Sequence, residues 1–138
     1  MPQSYEDLEV YQLSKKLAVD IHQITLTHLP QYEKYETGSQ IRRAAKSIGA
    51  NIVEGFGRKK YKTDYVRFLT YALASCDETK YHLEMLFLTG ALEQAEYSSL
   101  LERFKTLGKK LYSFRKSITN SYVSDNSVAS YGLCLPVT

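Results

Sequence analysis

The chain has no tryptophan, only two cysteines and only three prolines in 138 residues. Cys76 and Cys134 are far apart, and neither belongs to a CxxC pair or a Cys/His cluster. A disulfide framework and a structural zinc site are therefore not indicated, and reduced thiols in a cytoplasm are the expectation. The prolines sit at positions 2, 30 and 136, so the body of the chain carries no helix breaker. No apolar run reaches the roughly 18 residues that a bilayer span requires. The opening Met1-Pro2-Gln3-Ser4-Tyr5-Glu6-Asp7 is acidic and lacks the apolar stretch of a signal peptide. A cytoplasmic protein with no membrane partner is expected. Strand-like alternation is missing too, because apolar residues recur at spacings of three and four throughout.

That spacing predicts four helices. The first runs from about Asp7 to Thr27, with Val10, Leu13, Leu17, Ile21 and Ile24 on one side, and Pro30 stops it. The second runs from about Thr37 to Glu54 over Ile41, Ala45, Ile48 and Ile52. Thr37 and Gln40 have the form of a capping box, and Gly55 and Gly57 are read as its end. The third runs from about Thr63 to Thr89 over Tyr65, Leu69, Ala72, Cys76, Thr79, Leu83 and Leu86, closed by Gly90. The fourth runs from about Gln94 to Thr119 over Tyr97, Leu100, Phe104, Leu107, Leu111, Phe114 and Ile118, a seam of threes and fours. Short connections make neighbouring helices antiparallel. The expected fold is all-α, an up-down-up-down four-helix bundle over residues 1–120, followed by a flexible tail over 121–138.

The third helix has more apolar surface than a single bundle needs. At about 100° per residue, Tyr71, Ala74, Tyr81, Met85 and Leu88 lie opposite its core stripe, with Glu78 among them. A helix apolar on two opposite sides must bury both. Tyr71, Tyr81, Met85 and Leu88 are therefore candidates for a subunit interface, the plain alternative being aromatics left partly exposed.

Net charge is only +3, but it is segregated. Arg42, Arg43, Lys46, Arg58, Lys59, Lys60, Lys62 and Arg67 face two acids, Glu54 and Asp64, within residues 40–67. A second basic stretch runs from Arg103 to Lys116 without an acid. Basic residues with an interleaved tyrosine, as in Arg58-Lys59-Lys60-Tyr61-Lys62, suit phosphate contacts and base stacking, while a solvated basic loop is the plain alternative. Catalytic signatures are missing. His22, His28 and His82 have no metal-ligand spacing, Gly55-Phe56-Gly57 is not a phosphate loop, and Ser47 and Ser75 lie in no nucleophile elbow. No cofactor, metal or catalytic residue is expected. Gln40, Arg43, Ser47, Asn51 and Glu54 step by three and four along the second helix. They form either a hydrogen-bond network that fixes packing or a ligand surface.

The segment Gln40-Ile41-Arg42-Arg43-Ala44-Ala45-Lys46-Ser47-Ile48-Gly49-Ala50-Asn51-Ile52-Val53-Glu54-Gly55 resembles the signature of the four-helix-bundle family encoded in intervening sequences of 23S ribosomal RNA genes. The opening Tyr5-Glu6-Asp7-Leu8-Glu9-Val10-Tyr11-Gln12 is similar to that family's start, with tyrosines where Phe and Trp are usual. Ser75 and Glu78 match its Ser-x-x-Glu on the third helix. The resemblance covers about residues 5–119. It implies a bundle that assembles into a homopentameric ring, with no enzymatic activity. A related branch, the accessory variability proteins of diversity-generating retroelements, implies nucleic acid (RNA or DNA) and a reverse transcriptase as partners. This chain departs from that branch in being only mildly basic. Three functions are thus in view: a nucleic-acid-binding accessory, an oligomeric scaffold that binds only protein, and, weakest, an enzyme built on Glu54, Glu78 and Arg43.

Overall fold

Ser4 caps the first turn. The computed structural model of the protein describes residues 2–125. The Ser4 hydroxyl accepts from the Glu6 amide at 3.1 Å, and the Asp7 carboxylate accepts from the Ser4 amide at 3.2 Å. This reciprocal capping box closes a single 3-10 turn, Tyr5–Asp7, ahead of the first long helix. Four long helices follow: α1 (Glu9–Thr27), α2 (Thr37–Gly57), α3 (Lys62–Leu88) and α4 (Gln94–Asp125), with a one-turn helix Gln31–Lys34 between the first two. No strand occurs among the described residues.

Each long helix packs on the next, and α1 closes against α4. The cross-helix contacts run in opposite directions along each pair, as antiparallel packing requires. Between α1 and α4, Lys110 reaches Glu9 and Arg103 reaches Asp20. The predicted stripes meet at the centre, where Ile21, Ile41, Ile48, Ile52, Leu69, Leu83, Phe104, Leu107 and Leu111 are essentially inaccessible. Each is worth roughly 2–5 kcal/mol against truncation to alanine. Buried hydroxyls bond back to their own helix, Thr25 to the Ile21 carbonyl and Thr79 to the Ser75 carbonyl.

Three boundaries differ from the sequence expectation. The Thr37–Gln40 capping box does not form. Glu36 occupies the cap position, and the Thr37 amide donates to the Glu33 carboxylate at 3.2 Å, because the turn Gln31–Lys34 brings that acid within reach. The second helix continues through Gly55 to Gly57. Gly55 is buried, and a Cβ there would come within 3.1 Å of the Phe68 Cβ, so this glycine permits close helix contact rather than ending the helix. Gly90, by contrast, does end α3. Its φ of +82° suits glycine, and the Gly90 and Ala91 amides return to the Phe87 and Leu86 carbonyls in a Schellman arrangement. Finally, α4 runs to Asp125, five residues into the stretch read as tail. The remainder of that tail, with its apolar end Leu133-Cys134-Leu135-Pro136-Val137, lies outside the described residues.

Candidate nucleic-acid interface

The polar row of α2 divides in two. Ser47 and Asn51 turn toward α3, where the Ser47 and Ser75 hydroxyls share a hydrogen bond of 2.9 Å. The Asn51 amide donates to the Ser47 carbonyl at 2.9 Å and to its hydroxyl at 3.1 Å. Gln40, Arg43, Lys46 and Glu54 are exposed instead. Glu54 pairs with Arg58 at 3.1 Å, one turn on. Glu78 is not in the Ser47–Ser75 network. Its carboxylate is exposed and meets His82 Nε2 at 3.2 Å. The Ser47–Ser75 and Gly55–Phe68 contacts fix the α2–α3 register. That register sets Glu54 level with Phe68, about ten residues or 15 Å from Glu78. The two carboxylates named for an enzyme therefore do not converge.

The basic residues also separate. Arg42 belongs to the fold, since its guanidinium donates to Thr25 Oγ1 and to the Lys34 carbonyl, both at 2.9 Å. It ties α1, the one-turn helix and α2 together and is half-buried. Its place beside Ile41 turns it toward acceptors that other elements supply. Lys62 is displaced likewise: it is buried at the start of α3, and its Nζ has no hydrogen-bond partner. Burial of Lys62 runs against the ligand-facing role expected for it, whereas Arg42 is half-buried and held by the fold. Arg58 and Arg67 share Asp64, at 3.7 and 3.2 Å, and flank the Phe68 ring. Lys59 lies 4.1 Å from the Phe56 ring centroid, and Lys60 lies 6.0 Å from that of Tyr61.

Antiparallel packing of α3 and α4 adds what the sequence reading lacked. It sets the N-terminal end of α3 beside the C-terminal half of α4, so Arg67 shares a depression with Arg115 and Lys116. The Arg115 guanidinium donates to Thr70 Oγ1 at 2.9 Å and lies 5.5 Å from the Tyr112 ring centroid. Tyr112 was not singled out from the sequence. The available signal was a tyrosine off the core stripe, three and four residues before two cations.

The outer face of α3 is open in the single chain: Tyr71 is 45%, Tyr81 57% and Leu88 65% exposed, and Met85 is half-buried. Among the histidines, His28 bonds to Glu96 at 2.7 Å, His82 bonds to Glu78, and His22 is exposed. No group of three His, Cys, Asp or Glu side chains gathers as a metal site among the described residues. No helix among them is long and apolar enough to cross a membrane. Cys76 is buried between α3 and α4, and its thiol donates to the Phe104 carbonyl at 3.4 Å. Burial, opposed by nearby Lys80 and reinforced by Asp77, pushes its pKa from 9.0 up to about 11.

Residues 6–113 match the family model described as 23S rRNA-intervening sequence protein. The chain belongs to this family. A crystal structure at 1.70 Å of a protein of unknown function from Bacteroides thetaiotaomicron, assigned to the S23 ribosomal protein family, superposes with a TM-score of 0.71. The two are 30% identical over 78% of this chain and 95% of that one. No curated protein matches the sequence.

Proposed function

We propose that the protein is a non-enzymatic, cytoplasmic homo-oligomer that binds nucleic acid, with structured RNA as its first ligand. The observation that carries this reading is the meeting of two basic stretches. Residues 58–67 and 103–116 are separated in sequence, and the α3–α4 pairing joins them at Arg67, Arg115 and Lys116. Cations gathered on one end of a protein neutralise phosphates and release counterions, which gives affinity without sequence preference. The family description and the neighbour's name both refer to ribosomal RNA or the ribosome, which suits an RNA ligand. The exposed face of α3 supports assembly into a ring, a pentamer by family resemblance, and a ring repeats each weak basic site and multiplies avidity.

Titration of a labelled structured RNA at rising salt tests the reading. Binding should weaken steeply, and Lys60→Glu with Lys116→Glu should remove most of it. Salt-insensitive binding, or none at low salt, would sink the proposal. The exposed apolar face of α3 also favours a second reading, a scaffold that binds only protein. That scaffold would assemble normally and ignore RNA.

A further inference from the structure

The depression at Arg67, Arg115 and Lys116 does not stop there. Tyr112 lines it and also lines the next hollow along the α3–α4 joint, which holds Lys80, Lys105 and Lys109. The two hollows adjoin at this tyrosine, which is 55% exposed, and together form one groove along the joint. One acid lines it, Asp77, and that acid is taken by Lys80 at 3.2 Å. Lys105, Lys109 and Lys116 have no carboxylate within ion-pairing distance among the described residues. With Tyr112 they step by four, three and four along α4, so they share one side over about 16 Å.

Gly108 lies on the floor of this groove, in the middle of a long helix. Glycine is among the poorest helix formers. At Gly38 and Gly55 a Cβ would come within 2.9 and 3.1 Å of neighbouring atoms, so packing explains them. At Gly108 a Cβ would meet nothing closer than Cys76 Sγ at 3.7 Å, an ordinary contact. Packing does not demand a glycine here. Its effect is to keep the floor bare between Lys80 and Lys109.

We propose that this α3–α4 groove is the seat of an unpaired nucleic-acid strand, with Lys105, Lys109 and Lys116 on its phosphates and Tyr112 stacked on a base. This deepens the nucleic-acid reading above and rests on it. Charge complementarity identifies a polyanion, and the exposed ring selects one that carries flat aromatic faces. The Arg115 guanidinium beside the ring limits its freedom before a ligand arrives. A base can stack on Tyr112 only if its face is free, which selects an unpaired strand over a duplex.

The test is anisotropy of a labelled single-stranded RNA of mixed sequence, with a perfect duplex of that sequence and polyglutamate as competitors. The full chain should prefer the single strand, with a log–log salt slope of about −2 for three lysine contacts. Tyr112→Ala should weaken binding about tenfold, a typical loss for one stacked base. Lys109→Glu with Lys116→Glu should weaken it further, and Gly108→Met should do so without changing charge. Tyr112, Lys109 and Lys116 are exposed, so those variants keep the fold. A parent that binds RNA while Tyr112→Ala and the lysine variants bind equally well overturns the groove and leaves the broader reading standing. Equal competition by polyglutamate or by duplex overturns the choice of ligand. A parent that binds neither RNA form removes both proposals.

Discussion

The α2–α3 joint and the α3–α4 groove are opposite in character. The first carries the family motif and closes on itself, with Ser47, Asn51 and Ser75 satisfying one another across the joint. The second carries no motif and is open, with three lysines that have no carboxylate partner among the described residues around an exposed tyrosine. The lesson is that the small uncharged polar residues of the motif build the joint, that Gln40, Arg43, Lys46, Glu54 and Glu78 stay exposed, and that the open groove lies where the sequence is least distinctive. Uncharged hydroxyls and an amide suit a packed joint, because each finds a partner without the cost of burying charge.

Several substitutions would break or sharpen that contrast. The largest effect is expected at Arg42, the motif cation that holds Thr25 and the Lys34 carbonyl. Arg42→Ala should cost about 2–3 kcal/mol in chemical denaturation and leave RNA affinity unchanged in the surviving folded protein. A loss of affinity without a loss of stability would return Arg42 to the ligand surface. Next is Cys76, under the groove. Its folded pKa is raised, so the unfolded chain ionises first as pH climbs from 9.0 toward 11. The unfolded state then binds fewer protons, and stability falls across that window by up to about 3 kcal/mol. Cys76→Ala should flatten this part of the profile, and reaction of Cys76 with a thiol reagent near neutral pH should be slow. Ser47→Ala should cost about 1 kcal/mol, because Ser75 and Asn51 each lose a partner. The smallest stability effect is expected in the groove. Lys109→Glu should change stability by less than about 0.5 kcal/mol while weakening RNA binding. A larger loss would make that lysine part of the fold.

Much of the bundle was legible because periodicity reports burial directly. Leu100, Phe104, Leu107 and Leu111 were read as one seam and form one, and Gly90 was read as a helix end and is one. The failures share a cause, which is that a partner from another element decided the outcome. Glu33 replaced the capping box expected at Thr37. Phe68 explains why Gly55 continues a helix rather than ending it. Arg42 and Lys62 are long enough to turn either way, and only the packed neighbours fix which. The groove depends on the α3–α4 register, so the meeting of Arg67 with Arg115 could not be read from a linear charge count. The outer face of α3 was legible as excess apolar surface, and Tyr81 and Leu88 are open in the single chain.

The most direct measurement is the native mass by light scattering on a sizing column, with and without a structured RNA. The account predicts an oligomer of defined size whose mass rises when RNA is added, and an RNA complex that dissolves at high salt. An oligomer indifferent to RNA would contradict the nucleic-acid reading, and a monomer would contradict the use of the α3 face as a subunit interface.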